Sequence, residues 1–419
     1  MKTVDLVYFN AGGGHRASAL ALQEQLLAER RPWQVRLVNL FEVLDPKGSF
    51  RQWAGFDPEE VYNRRLARGW TLGLGQELKL LQGLIRFSHA TLCRTLQQHW
   101  LATEPDLVVS LVPNFNRAIG ESLAATLPGV PFVTVMTDMA DLPPSFWIEP
   151  GVPQHLVCGT AHAAGQALSA GVPPARIFRS SGMLIRPAFY EPVPHDRAAE
   201  RRALGLDPQR PTGVVMFGGQ GSAQMAHIAA LLPQVQLIHL CGHNAALVAR
   251  LQAMRRAAPQ AAIGFTREVP RWMALGDFFI GKPGPGCLSE ALHMGLPVIT
   301  FDNAWTMPQE RYNARWVREQ QVGLVLRSVK ALPAAVASLV ANLDRFRERV
   351  AALDNRAIEE VPGVLAQLLE GSEEAAPPSG AGWGSTIGPA TGAAGTATPA
   401  GARTGLASAL RSMISSRPS

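Results

Sequence analysis

Three clusters of residues in this sequence carry groups suited to chemistry. The first lies at residues 10–19, NAGGGHRASA, where three glycines precede a histidine. Consecutive glycines cost backbone entropy, so they indicate that a ligand approaches the main chain closely. A run of β-branched and aromatic residues comes before this segment, and a run of helix formers follows it. The pattern predicts a strand, a glycine turn and a helix whose N-terminal N–H groups face a ligand.

The second cluster, FGGQGS at residues 217–222, repeats the order of strand, glycine turn and helix. Neither turn has the spacing of the dinucleotide fingerprint, and neither ends in the Gly-Lys-Ser/Thr of a triphosphate-binding loop. Nicotinamide-dependent enzymes and nucleoside-triphosphate hydrolases are therefore disfavoured. Both turns could hold a diphosphate through backbone N–H groups, or they could simply be tight turns between a strand and a helix.

The third cluster, at residues 281–317, is the richest in polar side chains. Its PGPG turn predicts a helix with Glu290 in the first turn, where a carboxylate can accept hydrogen bonds from two neighbouring sugar hydroxyls. The next predicted strand is followed by further carboxylates and amides, namely Asp302, Asn303, Gln309, Glu310 and Asn313. Such groups commonly bind sugar hydroxyls. Alternatively, Glu290 and Glu310 are helix-terminal charges that complement the helix dipole.

Short apolar strands alternate with helical segments and must position these clusters. The predicted strands are residues 4–9, 35–40, 107–111, 132–136 and 156–158, then 213–217, 236–240, 262–265, 277–280 and 297–301. This pattern is typical of parallel sheets covered on both faces. A proline-rich break at residues 186–194 separates the two sets and predicts a linker between two doubly wound α/β domains. Ligands of such sheets bind at the carboxyl ends of the strands, so two facing domains would enclose a cleft.

Composition limits the function classes. The chain has 419 residues, of which 47% are hydrophobic, enough for two or three domains with real cores. A net charge of +6 permits a nucleic acid, an anionic membrane or a phosphorylated ligand as partner. Nucleic acid is not expected, because no basic module or aromatic–basic stripe accompanies the charge. The four cysteines have no C-x-x-C spacing and are predicted to be thiols in a reducing compartment. Without a signal peptide or a long apolar run, we expect a cytoplasmic protein or one bound to the cytoplasmic face of a membrane.

Two segments break the alternation. Residues 57–100 have helical composition, with apolar side chains such as Trp70, Leu72, Leu74, Leu81, Leu84 and Phe87 beside Arg64, Arg65 and Arg68. They are predicted to be an insertion of amphipathic helices, which either contacts an anionic membrane surface or covers the N-terminal sheet. Residues 372–419 consist mainly of Ala, Gly, Pro, Ser and Thr and are predicted to form a disordered tail.

Four segments, KPGPGCLSEALHMGLPVI, PQERYN, GGGHRASA and TDMAD, resemble the monogalactosyldiacylglycerol synthase group of family 28 glycosyltransferases. The resemblance extends over residues 1–370 and implies the GT-B fold, with two Rossmann-like domains. It implies a UDP-hexose donor, a membrane lipid acceptor such as diacylglycerol, inversion at the sugar carbon, and neither a catalytic metal nor another cofactor. The expected domains are acceptor-binding residues 1–188, donor-binding residues 195–371 and the tail at 372–419.

The same resemblance assigns site residues. Glu290 would hold the ribose of UDP, and Gln309 and Glu310 would bind the donor sugar. Other positions expected on the donor side are Gly219, Gly221, Ser222, Gly242, Asn244, Val269, Pro285 and Gly286. Gly13, Gly14 and Asn313 are expected on the acceptor side. The plant-type synthases carry a histidine shortly after the Thr-Asp pair, whereas MADLPPSFW follows Asp138 here, so the sugar and the acceptor stay open.

Inverting transfer needs a base for the acceptor hydroxyl. His15 is the preferred candidate, because the helix dipole disfavours the imidazolium form at a helix start. Asp138 follows a predicted strand and either orients His15 or is itself the base. His239 and His243 have no third metal ligand in their spacing, and His89, His99 and His227 are interpreted as surface or packing residues.

Other functions stay open at this point. A sister enzyme could transfer glucose, glucuronate or N-acetylglucosamine to a lipid. A non-hydrolysing UDP-sugar epimerase shares the architecture, but it would need carboxylates around the sugar and no lipid-facing insertion. A catalytically silent lipid-binding module is disfavoured by His15, Glu290 and both glycine turns.

Overall fold

A computed structural model describes residues 1–10, 13–45, 74–193, 196–304 and 306–374. The described strands form two six-stranded sheets in which every pairing is parallel. The N-terminal sheet has the order β2-β1-β3-β4-β5-β6. Its strands are β1 Lys2–Tyr8, β2 Trp33–Asn39, β3 Leu107–Ser110, β4 Phe132–Val135, β5 Gln154–Cys158 and β6 Ile177–Arg179.

The C-terminal sheet has the order β12-β11-β10-β7-β8-β9. Its strands are β7 Thr212–Met216, β8 Gln236–Leu240, β9 Gln260–Ile263, β10 Phe278–Gly281, β11 Val298–Phe301 and β12 Gly323–Leu326. Counted within its own half, the C-terminal sheet has the Rossmann order 3-2-1-4-5-6, and the described strands of the N-terminal sheet have the related doubly wound order 2-1-3-4-5-6. In both sheets the loops at the carboxyl ends of the strands form one continuous edge.

Helices follow most strands. In the N-terminal half they are α1 Gly14–Ala28, α2 Leu40–Leu44, α3 Leu74–Phe87, α4 His89–Thr103, α5 Asn116–Thr126 and α6 Ala161–Ser169. The remainder are α7 Arg197–Ala203, α8 Gln224–Leu231, α9 Ala245–Ala253, α10 Val269–Ala274, α11 Pro285–His293, α12 Arg311–Gln320, α13 Leu332–Ala341, α14 Leu343–Ala351 and α15 Ala357–Glu374. No helix in the described ranges is long and apolar enough to cross a bilayer.

The central strands bury both faces, which explains why they read as continuous apolar runs. All residues of LVVS in β3, FVTV in β4, FFIG in β10 and VITF in β11 are buried. All ten predicted strands are confirmed, with ends that differ by at most two residues. The two missed strands, β6 and β12, are short and lie at sheet edges, where only part of each strand is buried and the apolar signal is weak.

The last helix corrects the predicted domain boundary. Residues 195–371 were expected to form the C-terminal domain, but α15 packs on the N-terminal domain. Its buried side chains, Ala357, Ile358, Val361, Leu365 and Leu369, share one core with Val4, Leu6 and Leu22. The apolar stripe of α15 is thus buried beside α1 on the N-terminal domain. The helix also ends at Glu374, two residues beyond the predicted start of the tail at residue 372, and residues 375–419 lie outside the described ranges.

At the proline-rich break the chain passes from the N-terminal to the C-terminal domain, and this segment is packed against both. Phe189 is buried in the C-terminal core, and Tyr190 contacts the cores of both domains. The chain therefore crosses between the domains twice, at 186–190 and again before α15, and each crossing is held by apolar contacts.

The predicted insertion at 57–100 divides into parts with different roles. Helix α4 belongs to the N-terminal core, because Leu96 and Trp100 are fully buried and Trp100 Nε1 donates a hydrogen bond to Ser122 Oγ at 2.9 Å. Helix α3, in contrast, contributes no fully buried side chain among its described residues 78–87. Residues 57–73, including Arg64, Arg65, Arg68, Trp70 and Leu72, lie outside the described residues.

Leu365→Ala tests the return of α15. Leu365 is 0% exposed in the N-terminal core, so its truncation should lower the free energy of unfolding by about 2–5 kcal/mol. Gln367→Ala, on the exposed side of the same helix, should change it by less than about 0.5 kcal/mol. Chemical denaturation measures both values. Equal effects of the two substitutions would place α15 away from this core.

Candidate active site

The N-terminal half of the site lies at the carboxyl ends of β1, β3 and β4. Gly13 has φ +77°, a left-handed conformation that suits glycine, and α1 begins at the next residue, Gly14. Among the described residues, no atom other than those of the chain neighbours would lie within 4 Å of a β-carbon at either glycine. His15 follows in the first turn of α1, with its Nδ1 3.0 Å from Thr137 Oγ1.

Burial is the main influence on the charge of His15. Desolvation lowers the pKa of this imidazole to about 4, although a hydrogen bond with the Leu111 backbone acts in the opposite direction. The ring is therefore neutral at physiological pH, which is the form of imidazole that can accept a proton. A neutral ring was expected from the helix dipole, and in the structure burial lowers the pKa of the ring.

Asp138 lies beside this histidine without bonding to it. Its Oδ2 accepts a hydrogen bond from Trp147 Nε1 at 3.0 Å, and the Trp147 ring lies 6.0 Å from the His15 ring. Because Thr137 occupies Nδ1 of His15, the expectation that Asp138 orients the imidazole directly is wrong. Burial raises the pKa of Asp138 to about 7, against the Trp147 hydrogen bond, which lowers it.

The C-terminal half begins with two loops packed backbone to backbone. The turn after β7 contains Gly219 and Gly221, and the turn after β8 contains Gly242. A β-carbon at Gly242 would collide with the Gly219 carbonyl oxygen, and one at Gly221 would lie 2.6 Å from the Cys241 carbonyl oxygen. Both Gly221 and Gly242 also have positive φ. These two glycines are thus explained by the close approach of the loops, while Gly219 is exposed.

Two residues expected on the donor side hold the loops with their side chains. The Ser222 side chain is buried, and its Oγ accepts a hydrogen bond from the Gln224 backbone at 3.3 Å. Asn244 Oδ1 caps α9 by accepting from the Leu247 backbone at 3.0 Å. Their positions beside the donor stay a prediction.

The PGPG turn after β10 leads directly into α11. This helix begins at Pro285, so Glu290 is its sixth residue and lies in the second turn, contrary to the first-turn prediction. The alternative that Glu290 only complements the dipole at the helix N-terminus is accordingly disfavoured. Burial raises the pKa of Glu290 to about 7, and the positive charge of Arg186 lowers it. Gly286 is exposed at the start of the helix, whereas Pro285 is half-buried, as is Val269 at the start of α10.

Lys282 is a site residue that the sequence analysis missed. Its Nζ donates to Glu310 Oε1 at 2.9 Å, and the Glu310 side chain is almost fully buried. Its Cε would lie 3.9 Å from a β-carbon at Gly218, so this cation reaches the glycine turn after β7. Lys282 is one of only five lysines in the chain and directly precedes the PGPG turn, which was an available signal.

Asn313 was expected on the acceptor side. It is fully buried in α12, and its Nδ2 braces the PGPG turn by donating to the Pro283 carbonyl at 2.8 Å. Its role toward the acceptor stays a prediction. Gln309, in contrast, is half-buried and borders the space between the domains.

The two carboxyl edges face each other across a cleft. A cavity of about 340 Å³ is lined by Asp141, Leu142 and His162 from the N-terminal domain and by residues including Gln309 and Tyr312 from the other. The rings of His162 and Tyr312 stack with centroids 4.2 Å apart. Charge also acts across this gap, because Glu310 raises and Lys282 lowers the pKa of Asp138. Asp138 and the Lys282–Glu310 pair are therefore close enough to influence each other across the gap.

His239 in β8 and His243 in the loop after β8 have separate partners. His239 is buried within the strand, with Nε2 3.2 Å from Gln260 Oε1. His243 lies on the exposed loop and stacks on Phe265 with centroids 4.0 Å apart.

Comparisons with known proteins agree with this arrangement. The model of the glycosyltransferase family 28 C-terminal domain matches residues 214–368. A probable monogalactosyldiacylglycerol synthase 2, chloroplastic, from Oryza sativa subsp. indica is 30% identical over 342 residues, which cover 77% of this chain and 70% of that protein.

Solved structures show the same fold at low sequence identity. The MurG protein of Acinetobacter baumannii has a TM-score of 0.56 at 13% identity, covering 88% of this chain and 100% of that one. A UDP-N-acetylglucosamine 2-epimerase has a TM-score of 0.52 at 13% identity, covering 89% of this chain and 97% of that one. The fold is GT-B, and because it is shared by these differently named proteins, it does not by itself choose the reaction.

A double-mutant cycle tests the Lys282–Glu310 pair. Lys282→Met leaves the buried Glu310 carboxylate without this cation and should lower the free energy of unfolding by about 1–3 kcal/mol. Adding Glu310→Gln should restore part of that loss, since no buried charge then stays uncompensated. Lys330→Met, at an exposed lysine, is the control. Strictly additive effects in thermal and chemical unfolding would contradict the pairing.

Proposed function

Because the chain belongs to the monogalactosyldiacylglycerol synthase group of family 28 glycosyltransferases, we propose that it transfers a hexose from a UDP-sugar to diacylglycerol with inversion. The observation that carries this proposal is the cleft itself. The carboxyl edge of the N-terminal sheet carries a neutral histidine, His15, and the carboxyl edge of the C-terminal sheet carries a glycine turn, Lys282 and the acidic side chains Glu290 and Glu310. This is the set of groups that an inverting transfer requires: a base, a cradle for a diphosphate and partners for sugar hydroxyls.

In the proposed reaction, neutral His15 accepts the proton of the acceptor hydroxyl. The oxygen attacks the anomeric carbon on the face opposite UDP, and the bond between that carbon and the diphosphate oxygen breaks. The bonding electrons leave with UDP, so the new glycosidic bond has inverted configuration. His15 is favoured over Asp138 as the base because the carboxylate is buried and already accepts the Trp147 hydrogen bond.

The leaving diphosphate gains negative charge as the bond breaks. We assign its stabilisation to the Lys282 ammonium and to backbone N–H groups of the turn after β7, which the packed loops hold in place. Glu290 would accept hydrogen bonds from the ribose hydroxyls, and Gln309 would contact the sugar. No step of the proposed reaction uses a metal or another cofactor, and the UDP-sugar is a substrate.

The lipid acceptor requires contact with a membrane, and we assign this contact to α3. One face of α3 packs on the protein, with Gln82 Nε2 donating to Asn114 Oδ1 at 3.0 Å and to the Pro144 carbonyl at 3.3 Å. Both partners lie on loops at the carboxyl edge of the N-terminal sheet, beside the site. Helix α3 therefore borders the cleft where an acceptor would enter.

The opposite face of α3 has the composition of an interfacial helix. Lys79, Leu80, Gly83, Arg86 and Phe87 are all exposed and follow helical spacing, and we call them the α3 stripe. Leu80 and Phe87 are 46% and 74% exposed, whereas Leu81 and Leu84 are half-buried on the protein side. Apolar side chains flanked by cations favour an anionic lipid surface. We propose that the protein binds peripherally to the cytoplasmic face of a membrane. The four cysteines, which are free thiols, support a reducing compartment.

The function is tested by incubating the protein with labelled UDP-galactose, UDP-glucose or UDP-glucuronate and diacylglycerol vesicles. We expect one donor to give a glycosylated diacylglycerol and free UDP. In this assay His15→Ala should lower turnover by about 10²–10⁴-fold with little change in UDP affinity. Glu290→Ala should raise the UDP dissociation constant about ten-fold or more, because charge-assisted hydrogen bonds to ribose are lost.

The pH dependence separates these two roles. Since the pKa of Glu290 is about 7, UDP binding by the wild type should weaken as the pH falls below 7, and this part of the slope should vanish in Glu290→Gln. Calorimetry measures the affinities. A chain that converts the UDP-sugar to an epimer without any lipid product would instead be an epimerase. Unchanged turnover in His15→Ala would remove this histidine from the mechanism.

Replacing Leu80 and Phe87 together with serine tests the α3 stripe. Loss of two exposed apolar side chains should reduce sedimentation with phosphatidylglycerol vesicles at least about ten-fold, since burying each contributes about 1.5–3 kcal/mol. The matched control is Leu101→Ser with Leu168→Ser, at 62% and 52% exposed leucines of other helices. Thermal unfolding and UDP binding should not change in either variant. Equal sedimentation of both double variants would exclude this stripe as the membrane contact.

A further inference from the structure

Three side chains with metal-binding atoms converge on the N-terminal domain, outside the site described above. His89 and Cys93 lie one turn apart on α4, and Glu121 lies on the neighbouring α5. His89 Nε2 is 2.7 Å from Glu121 Oε2 and 3.4 Å from Cys93 Sγ. One ligand atom from each of the three residues lies within 4.8 Å of the other two. Two helices thus supply three different donor types to one point.

We infer that His89, Cys93 and Glu121 form a binding site for a divalent cation of the zinc class. Imidazole nitrogen, thiolate sulfur and carboxylate oxygen are the ligands that zinc takes in proteins, at about 2.0–2.3 Å. In a tetrahedral site of those bond lengths, neighbouring ligand atoms lie roughly 3–4 Å apart. The observed spacing needs only small side-chain movements to reach this geometry. All three residues are half-buried, which leaves the fourth position to water.

The two carboxylate oxygens of Glu121 have different partners. Oε1 accepts from Arg117 Nε at 2.8 Å, which leaves Oε2 as the oxygen that faces His89 and the cation position. An outer partner of this kind fixes a ligand's orientation and is a usual part of zinc sites. On the cation, His89 would use the lone pair of Nε2 and carry its proton on Nδ1. The simpler alternative is a His89–Glu121 hydrogen bond with Cys93 as a bystander.

The position of the site gives it a structural consequence. His89 is the first residue of α4, and only Ser88 separates it from the end of α3. A cation held by His89, Cys93 and Glu121 would therefore fasten the α3–α4 junction to α5. The binding should stabilise the folded chain, because an unfolded chain does not hold the three ligands together. This inference does not depend on the proposed reaction.

Cobalt is the direct probe, because a cobalt–thiolate bond gives a near-ultraviolet charge-transfer band. Full-length protein without an affinity tag, treated with chelator, should bind one Co²⁺ per chain with this band, and Zn²⁺ should displace it. Cys93→Ala should abolish the band, while Cys287→Ala, at another half-buried thiol, should retain it. Glu121→Gln and His89→Ala should each weaken Zn²⁺ at least about ten-fold. His227→Ala, at an exposed histidine, should bind as the wild type does.

A second measurement needs no variant. Zn²⁺ should slow alkylation of Cys93 in the wild type at least about ten-fold, with no comparable protection of Cys287, as read by peptide mapping. It should also raise the thermal midpoint of the wild type. A Co²⁺ band that survives in Cys93→Ala would overturn the assignment, as would equal alkylation of Cys93 with and without Zn²⁺. Either result would leave the His89–Glu121 hydrogen bond as the whole role of the cluster.

Discussion

The site depends on how the two sheets are held edge to edge. A parallel sheet presents its loops at one edge only, so a cleft forms when two such edges meet. Apolar packing holds them at both crossings of the chain. Phe189 and Tyr190 pack where the chain leaves the N-terminal domain, and α15 buries its stripe on that domain when the chain returns. Residues far apart in sequence, such as His162 and Tyr312, come into contact as a result.

Burial within this cleft determines the protonation of its groups. The same loss of water that keeps His15 neutral raises the pKa values of Asp138 and Glu290 to about 7. Both effects favour the uncharged form, as desolvation must for a base and for an acid. Lys282 and Glu310 remain a hydrogen-bonded pair on the opposite edge. The cavity between the domains is also lined by charged side chains, namely Asp141, Asp302, Arg311, Arg315 and Arg318.

The glycines of the two halves serve different ends. At Gly13 and Gly14 a side chain would meet no neighbouring element within 4 Å in the described part of the chain. At Gly221 and Gly242 a side chain would strike the neighbouring loop, so these residues allow two loops to touch. Similar sequence patterns of glycine after a strand thus have different physical causes. Only neighbours in space distinguish them.

The sequence alone predicted the features that rest on local patterns. Ten strands, the two α/β halves and the glycine turns follow from apolar runs and from residues that interrupt them, because the central strands bury both faces and favour their conformation locally. The tertiary structure decided the partners. Thr137 meets His15 from 122 residues away, Lys282 meets Glu310, α4 enters the core and α15 joins the other domain. Ser222, Asn244 and Asn313 carry side chains suited to a ligand, and in the structure each of them hydrogen-bonds to the backbone of a loop, helix end or turn. The type of a residue determines which hydrogen bonds it can make. Which partner it bonds to depends on the surfaces that long-range packing brings together.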